Sequence, residues 1–316
     1  MKATVFILVL SMILTGCNSA SIGIIGGADG PTSIIVSKTD KNQQFGIEIY
    51  KKPVRMINVD GDLYYDSGLV SDNTPRCGVM DGSLKKTVNE NEIPLKSGES
   101  NFKADGYQIG TSISKEVNID GEWVIFKKYD TYGRTLEDLK YCYYIKGRLN
   151  NATVDSEIIV LTENKDITFN DVYGPLLSSS FSALKSVSKT LFNPLISDNW
   201  GITLFADNIT PQGITLKIEQ FGGNCSGELQ TGLSYTLEKM ADDYWQILET
   251  KNGEPLTWNS IACMIKKNDI TEMNINWEYG YGKLEPGFYR LKKEIMDIRA
   301  PGDFDKETYE VDFTIE

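Results

Sequence analysis

From residue 198 to 316 the chain breaks into short strand-like runs with turn signals between them, and that spacing leaves few ways to fold. The runs are Ile202–Ala206, Ile214–Gln220, Ser234–Lys239, Trp245–Leu248, Met273–Trp277, Phe288–Ile295 and Tyr309–Ile315. Seven such runs at this spacing predict an antiparallel sandwich. Thr308–Ile315 alternates polar and apolar residues, the period of a half-buried strand. Trp245 fits the place of a core tryptophan.

The region before it is also strand-rich. Val54–Val59 and Leu63–Tyr65 flank Asp60-Gly61, and Val117–Ile119 and Trp123–Phe126 flank Asp120-Gly121. An Asp-Gly step between strand-like runs is a strong hairpin signal, because a type I′ turn needs positive φ at both central residues. Asp81-Gly82 gives a third turn cue. Tyr141–Leu149 and Glu157–Thr162 read as further strands. The one helix candidate is Ser178–Phe192, where Phe181, Leu184, Val187, Leu191 and Phe192 recur at three- and four-residue steps and Asn193-Pro194 stops the pattern. The fold class is therefore mainly β. A β-rich (α+β) domain over residues 45–197 is followed by a β-sandwich over 198–316.

Leu284-Glu285-Pro286-Gly287-Phe288-Tyr289 resembles the corner before strand F of fibronectin-type and immunoglobulin-like domains. In that corner a tyrosine hydroxyl bonds back to the preceding backbone. With Asn276–Gly282 and Asp297–Asp305, residues 199–316 resemble a bacterial Ig-like domain of clostridial surface proteins. The resemblance implies that Leu284 plugs the core, that Pro286 and Gly287 turn the chain and that Tyr289 locks it. It also implies a spacer or adhesion module. Asp297, Asp303 and Asp305, read as sharing one loop, are weak calcium candidates, with solvated charges the plainer reading. Tyr279 and Tyr281 could form a partner-contact edge, since tyrosine supplies contact area at low entropic cost, or be buried against a neighbouring domain.

At the N-terminus, Lys2 precedes an apolar run that ends in Leu14-Thr15-Gly16-Cys17. A basic start, a short apolar stretch and a small-residue cleavage site make an export signal over residues 1–16. The run is shorter than the roughly 20 apolar residues that span a bilayer. The tetrad resembles the lipobox of bacterial lipoproteins, which implies that Cys17 becomes the mature N-terminus. It would then carry a diacylglyceryl group and further acyl chains such as palmitate.

Residues 17–44 form an anchor and linker with a Gly-rich segment. Within it, Gly26-Gly27-Ala28-Asp29-Gly30-Pro31-Thr32 resembles a signature of the beta subunit of sodium-translocating decarboxylases, whose intramembrane aspartate matches Asp29. The match is local, covering residues 21–37, and no later apolar run is long enough to cross a bilayer. The glycines read as turn elements between β-branched runs, in a linker or in a strand that pairs elsewhere. Arg76-Cys77-Gly78-Val79-Met80-Asp81-Gly82, with Trp123–Phe126, resembles an uncharacterised domain of clostridial exported proteins. Arg76, Cys77 and Asp81 could mark a site, but a turn with a salt-bridged arginine is the simpler reading.

The chain has no histidine and a formal charge of −12. That excludes Ser-His and Cys-His nucleophiles and His-ligated metals. The charge disfavours nucleic acid and anionic headgroups as partners. Beyond Cys17, the cysteines Cys77, Cys142, Cys225 and Cys263 have no metal or redox spacing, and three disulfide pairings stay open. Cys142 and Cys263 lie in apolar runs and read as small buried hydrophobes.

The sequence thus points to an extracytoplasmic protein without a catalytic residue set or cofactor. It is held to the cell membrane by lipid on Cys17, and its partner is an envelope protein or glycan. The alternative is an exported hydrolase using paired carboxylates on cell-wall glycan; among 44 acidic residues no pair stands out.

Overall fold

The computed structural model describes residues 20–25, 32–38, 45–72, 76, 78–131, 135–149, 156–165, 190–194, 199–242 and 244–316. All elements among them are strands. Two compact units divide the chain: Met1–Gly68, Asp72–Gln108 and Val117–Ile196 in one, Leu69–Ser71, Ile109–Glu116 and Ser197–Glu316 in the other.

The first fourteen strands are β1 (Ala20–Ile25), β2 (Thr32–Lys38), β3 (Phe45–Pro53), β4 (Met56–Val59), β5 (Asp62–Val70), β6 (Gly82–Ser83), β7 (Lys86–Thr87), β8 (Glu99–Ser100), β9 (Gly106–Ile109), β10 (Ser114–Ile119), β11 (Glu122–Lys128), β12 (Tyr141–Leu149), β13 (Ser156–Thr162) and β14 (Thr190–Pro194). They form a six-stranded sheet, β1-β2-β3-β12-β13-β14, and an eight-stranded sheet, β6-β9-β10-β11-β5-β4-β8-β7. The Gly-rich segment has strands on both sides, with Ile22 opposite Val36 and Ile24 opposite Ile34; residues 26–31, Asp29 included, lie outside the described residues.

Local backbone chemistry sets the two tight hairpins. Asp60 and Gly61 have φ of 54° and 92°, and Asp120 and Gly121 have 55° and 95°. Both central positions are left-handed, as a I′ turn requires. The third turn cue resolves differently. Gly82 lies in β6 opposite Tyr107, and a Cβ there would run into the Tyr107 ring. Close approach, not turn geometry, calls for that glycine.

Strand β4 is buried along its whole length. Met56, Leu63 and Tyr65 join Cys142, Ile159 and Leu161 in one core. Ile57, Val59, Tyr64, Val117 and Phe126 form a second core. Asn101 ties this region together. Its carbonyl accepts the Met56 N–H at 2.7 Å, and its amide donates to the Val54 and Glu90 carbonyls, both at 2.8 Å. The Met56 N–H and the Val54 and Glu90 carbonyls thereby keep partners away from water.

The helix expected over 178–192 is corrected at its end. Leu191 and Phe192 lie in β14, opposite Leu161 and Val160, and residues 178–189 fall outside the described residues. A ladder partner on β13 overrides a helical period in the local sequence.

The second unit holds β15 (Ile202–Thr210), β16 (Gly213–Gln220), β17 (Glu228–Thr231), β18 (Thr236–Ala241), β19 (Tyr244–Ile247), β20 (Cys263–Met264), β21 (Asp269–Asn276), β22 (Gly287–Ala300) and β23 (Asp303–Ile315). A sheet of β15-β16-β21 and a sheet built on β22 share one core that includes Ile214, Leu216, Ile218, Leu237, Trp277, Leu291 and Phe313. The seven runs read from sequence all appear as strands; β17 and β20 are additional and short.

Strand β22 organises its sheet. One edge pairs with β23 along its length, while the other carries β18 over residues 289–292 and β17 over 295–298. Every second residue of β22 from Tyr289 to Asp297 is buried, and Lys293 is one of them. Its ammonium donates to the Gly232 carbonyl at 2.5 Å and the Ser234 carbonyl at 2.8 Å. These bonds bridge the gap where the chain crosses from β17 to β18, and they compensate a charge removed from water. Burial lowers the Lys293 pKa to about 8.

Candidate functional site

The corner at Leu284–Tyr289 is fixed from three directions. Leu284 is buried and its N–H donates to Pro211 O at 2.9 Å. The Tyr289 hydroxyl donates to the Glu285 carbonyl at 2.6 Å. The Tyr289 ring stacks on Phe313 at 5.8 Å, and Phe313 stacks on Trp277 at 5.5 Å. Pro286 and Gly287 make the bend that leads into β22. This is a structural element with no group left over for chemistry.

The buried tryptophans of this core are Trp277 and Trp200, and not Trp245. The Trp277 indole N–H reaches the Pro211 carbonyl at 2.8 Å, so its single donor stays satisfied in the core. Trp245 lies half-buried on the strand β19, with Arg290 over its ring at 4.1 Å and Phe288 at 5.3 Å. Register decides this: Trp245 is opposite Met240, out of phase with buried Leu237.

The three aspartates stand on a two-stranded ribbon and not in one loop. Asp297 is opposite Asp305 across β22 and β23, and Asp303 pairs with Ala300 at the turn. The buried Asp297 carboxylate accepts the Ser226 N–H, the Ser226 hydroxyl and the Gly227 N–H, each at 2.7 Å. Burial alone would raise its pKa; those three bonds outweigh it and hold the carboxyl low. Asp303 and Asp305 both take Arg299 as partner at 2.7 Å. Among the described residues no group of three or more carboxylates and thiols is arranged to hold a metal ion.

Arg76 lies over the Trp123 ring at 4.3 Å and donates to the Gln108 side-chain carbonyl at 3.1 Å. Gln108 in turn donates to Val79 O at 2.8 Å. Cys77 and Cys17 fall outside the described residues. Cys142 is a buried thiol, and burial pushes its pKa to about 12. That removes it from nucleophilic chemistry at neutral pH. Cys263 is half-buried in β20.

The remaining cluster is aromatic and belongs to the sandwich's loops. Tyr235 packs on Trp258 at 4.8 Å and on Tyr281 at 6.3 Å, with ring tilts of 58° and 36°. Burial raises both tyrosines, Tyr235 to about 12, so their hydroxyls stay neutral donors. Trp258 keeps 38% of its surface exposed, and Tyr279 keeps 93%. Tyr279 and Tyr281 stand out in the sequence as a contact edge, whereas Tyr235 and Trp258 do not. A lone tryptophan in the polar stretch Asn252-Gly253-Glu254-Pro255-Leu256-Thr257-Trp258-Asn259 was the available signal.

Residues 198–314 match the family model of a bacterial Ig-like domain. The match spans the sandwich and its corner. No curated protein matches the chain, and neither does any solved structure. Among the described residues no helix is long and apolar enough to cross a membrane.

Proposed function

We propose that this chain is a lipid-anchored, non-catalytic protein of the bacterial cell envelope, whose Ig-like domain serves as a binding or adhesion module. The observation that carries the reading is the match of residues 198–314 to a bacterial Ig-like domain; the run before Leu14-Thr15-Gly16-Cys17 supports it, read as an export signal over residues 1–16. Residues 17–44 would act as tether and linker, and the β-rich domain over 45–197 follows them in the chain, ahead of the module. Without histidine the commonest hydrolytic centres are closed to it. Four aspartates of the Ig-like domain have internal partners: Asp297 on Ser226 and Gly227, Asp303 and Asp305 on Arg299, Asp312 on Arg290.

Cell fractionation with fatty-acid labelling tests the anchor. The wild-type chain is expected in the membrane fraction with label incorporated. Cys17→Ser should lose the label and leave the membrane. Retention of the serine variant, with no label in either protein, would overturn the proposal.

A further inference from the structure

We propose that the Tyr235–Trp258–Tyr281 end of the Ig-like domain is a stacking platform for a neutral saccharide chain. The inference rests on the binding-module reading and names the ligand class for it.

The platform is held in place by its own loop. Residues 249–262 join β19 to β20 without regular structure, yet they seat closely on the turn after β21. The Lys251 N–H donates to Gly280 O at 2.9 Å, and the Lys251 ammonium donates to Glu278 O at 2.9 Å. The Leu256 side chain packs against Gly280, its methyl 2.7 Å from where a Cβ would stand, so the loop lies close on the turn. Tyr235 and Tyr281 pack against the sandwich core and root the cluster. Trp258 is the outermost of the three rings.

Two observations select the ligand class. Trp258 offers an exposed apolar face, and beside it lie the neutral hydroxyls of Tyr281 and of Tyr235, the latter donating to the Asn276 carbonyl at 3.4 Å; this suits a sugar ring with its apolar C–H face and its rim of hydroxyl groups. The charge is wrong for a polyanion: the chain carries −12, and in the surrounding loops Glu249, Glu254, Glu278 and Glu285 outnumber Lys251 and Lys283. A peptide adding as a strand would need an open strand edge, whereas loops and a turn form this end.

The test is titration of the full chain in detergent with two neutral probes, chitotetraose and maltotetraose, followed by calorimetry. Saturable binding of at least one, weakened at least about tenfold by Trp258→Ala and unchanged by Trp245→Ala, is the expected result. Binding of neither sugar overturns the proposal, as does wild-type affinity in Trp258→Ala. A second measurement covers the case in which that variant does not fold. In the indole N–H spectrum of the wild-type protein, the Trp258 signal, assigned with Trp258→Phe, should move on adding sugar while that of buried Trp277 stays. Movement of other indoles with Trp258 unmoved overturns the proposal. Fractionation of Cys17→Ser is independent of either outcome, so failure of the platform is distinguishable from failure of the anchor.

Discussion

The Tyr289 hydroxyl and the Glu285 carbonyl, four residues apart, close a 2.6 Å hydrogen bond around the bend that feeds β22. Tyr289→Phe keeps the ring stacked on Phe313 and removes only that bond. The expected cost is about 1–3 kcal/mol, the upper end applying if the carbonyl is left without a donor. Urea unfolding of the variant beside wild type measures it.

Lys293 gives a pH signature of the same sign as a lowered carboxylate, displaced to the alkaline side. Its folded pKa is lowered to about 8 from 10.5, so across that window the unfolded chain binds a proton that the folded chain does not. Stability therefore rises with pH from about 8 toward 10, by at most about 3 kcal/mol in full. Lys293→Met should lack this rise. The wild-type minus variant difference in urea midpoint at pH 7.5 and pH 9.5 checks it, and a difference independent of pH would refute it.

Cys142 acts the other way. Burial raises its thiol to about 12, so stability is present below the ordinary thiol range, near 8.5, and is lost as pH climbs toward 12. Iodoacetamide at pH 8 should leave Cys142 unmodified in the folded chain and label it in urea. Peptide mass spectrometry reads the result, and rapid labelling of the native protein would contradict the buried thiol.

Asp297 supplies an acid-side dependence. Its carboxyl is held low, so its contribution is full above the ordinary carboxylate range and falls away as pH drops through the lowered value. Asp297→Ala strands the Ser226 and Gly227 N–H groups and should cost about 2–3 kcal/mol at pH 7. Because Arg299 occupies Asp303 and Asp305, millimolar calcium should leave the Tm unchanged. A calcium-dependent rise would mean that the ribbon rearranges.

Much of the fold was legible where local chemistry decides it. Asp60-Gly61 and Asp120-Gly121 announce I′ hairpins because the two φ values are set by the dipeptide itself. The strand runs of the Ig-like domain were legible because one buried face imposes alternation. What escaped depends on partners distant in sequence. Gly82 answers to the Tyr107 ring, Phe192 to Val160 on a neighbouring strand, and Trp245 to the register of β18. The aromatic platform escaped for the same reason: Tyr235, Trp258 and Tyr281 come from three separate connections, and only packing brings their rings together.

The crossing at Lys293 divides the edge of a sheet that looks continuous from the β23 side. The strands β18 and β19 lie on one side of that ammonium, and β17 and β20 on the other, with no ladder joining the two pairs. Each pair holds its own stretch of β22, so native-state hydrogen exchange should resolve them as two units with separate protection, joined through β22, the shared core and the Lys293 side chain.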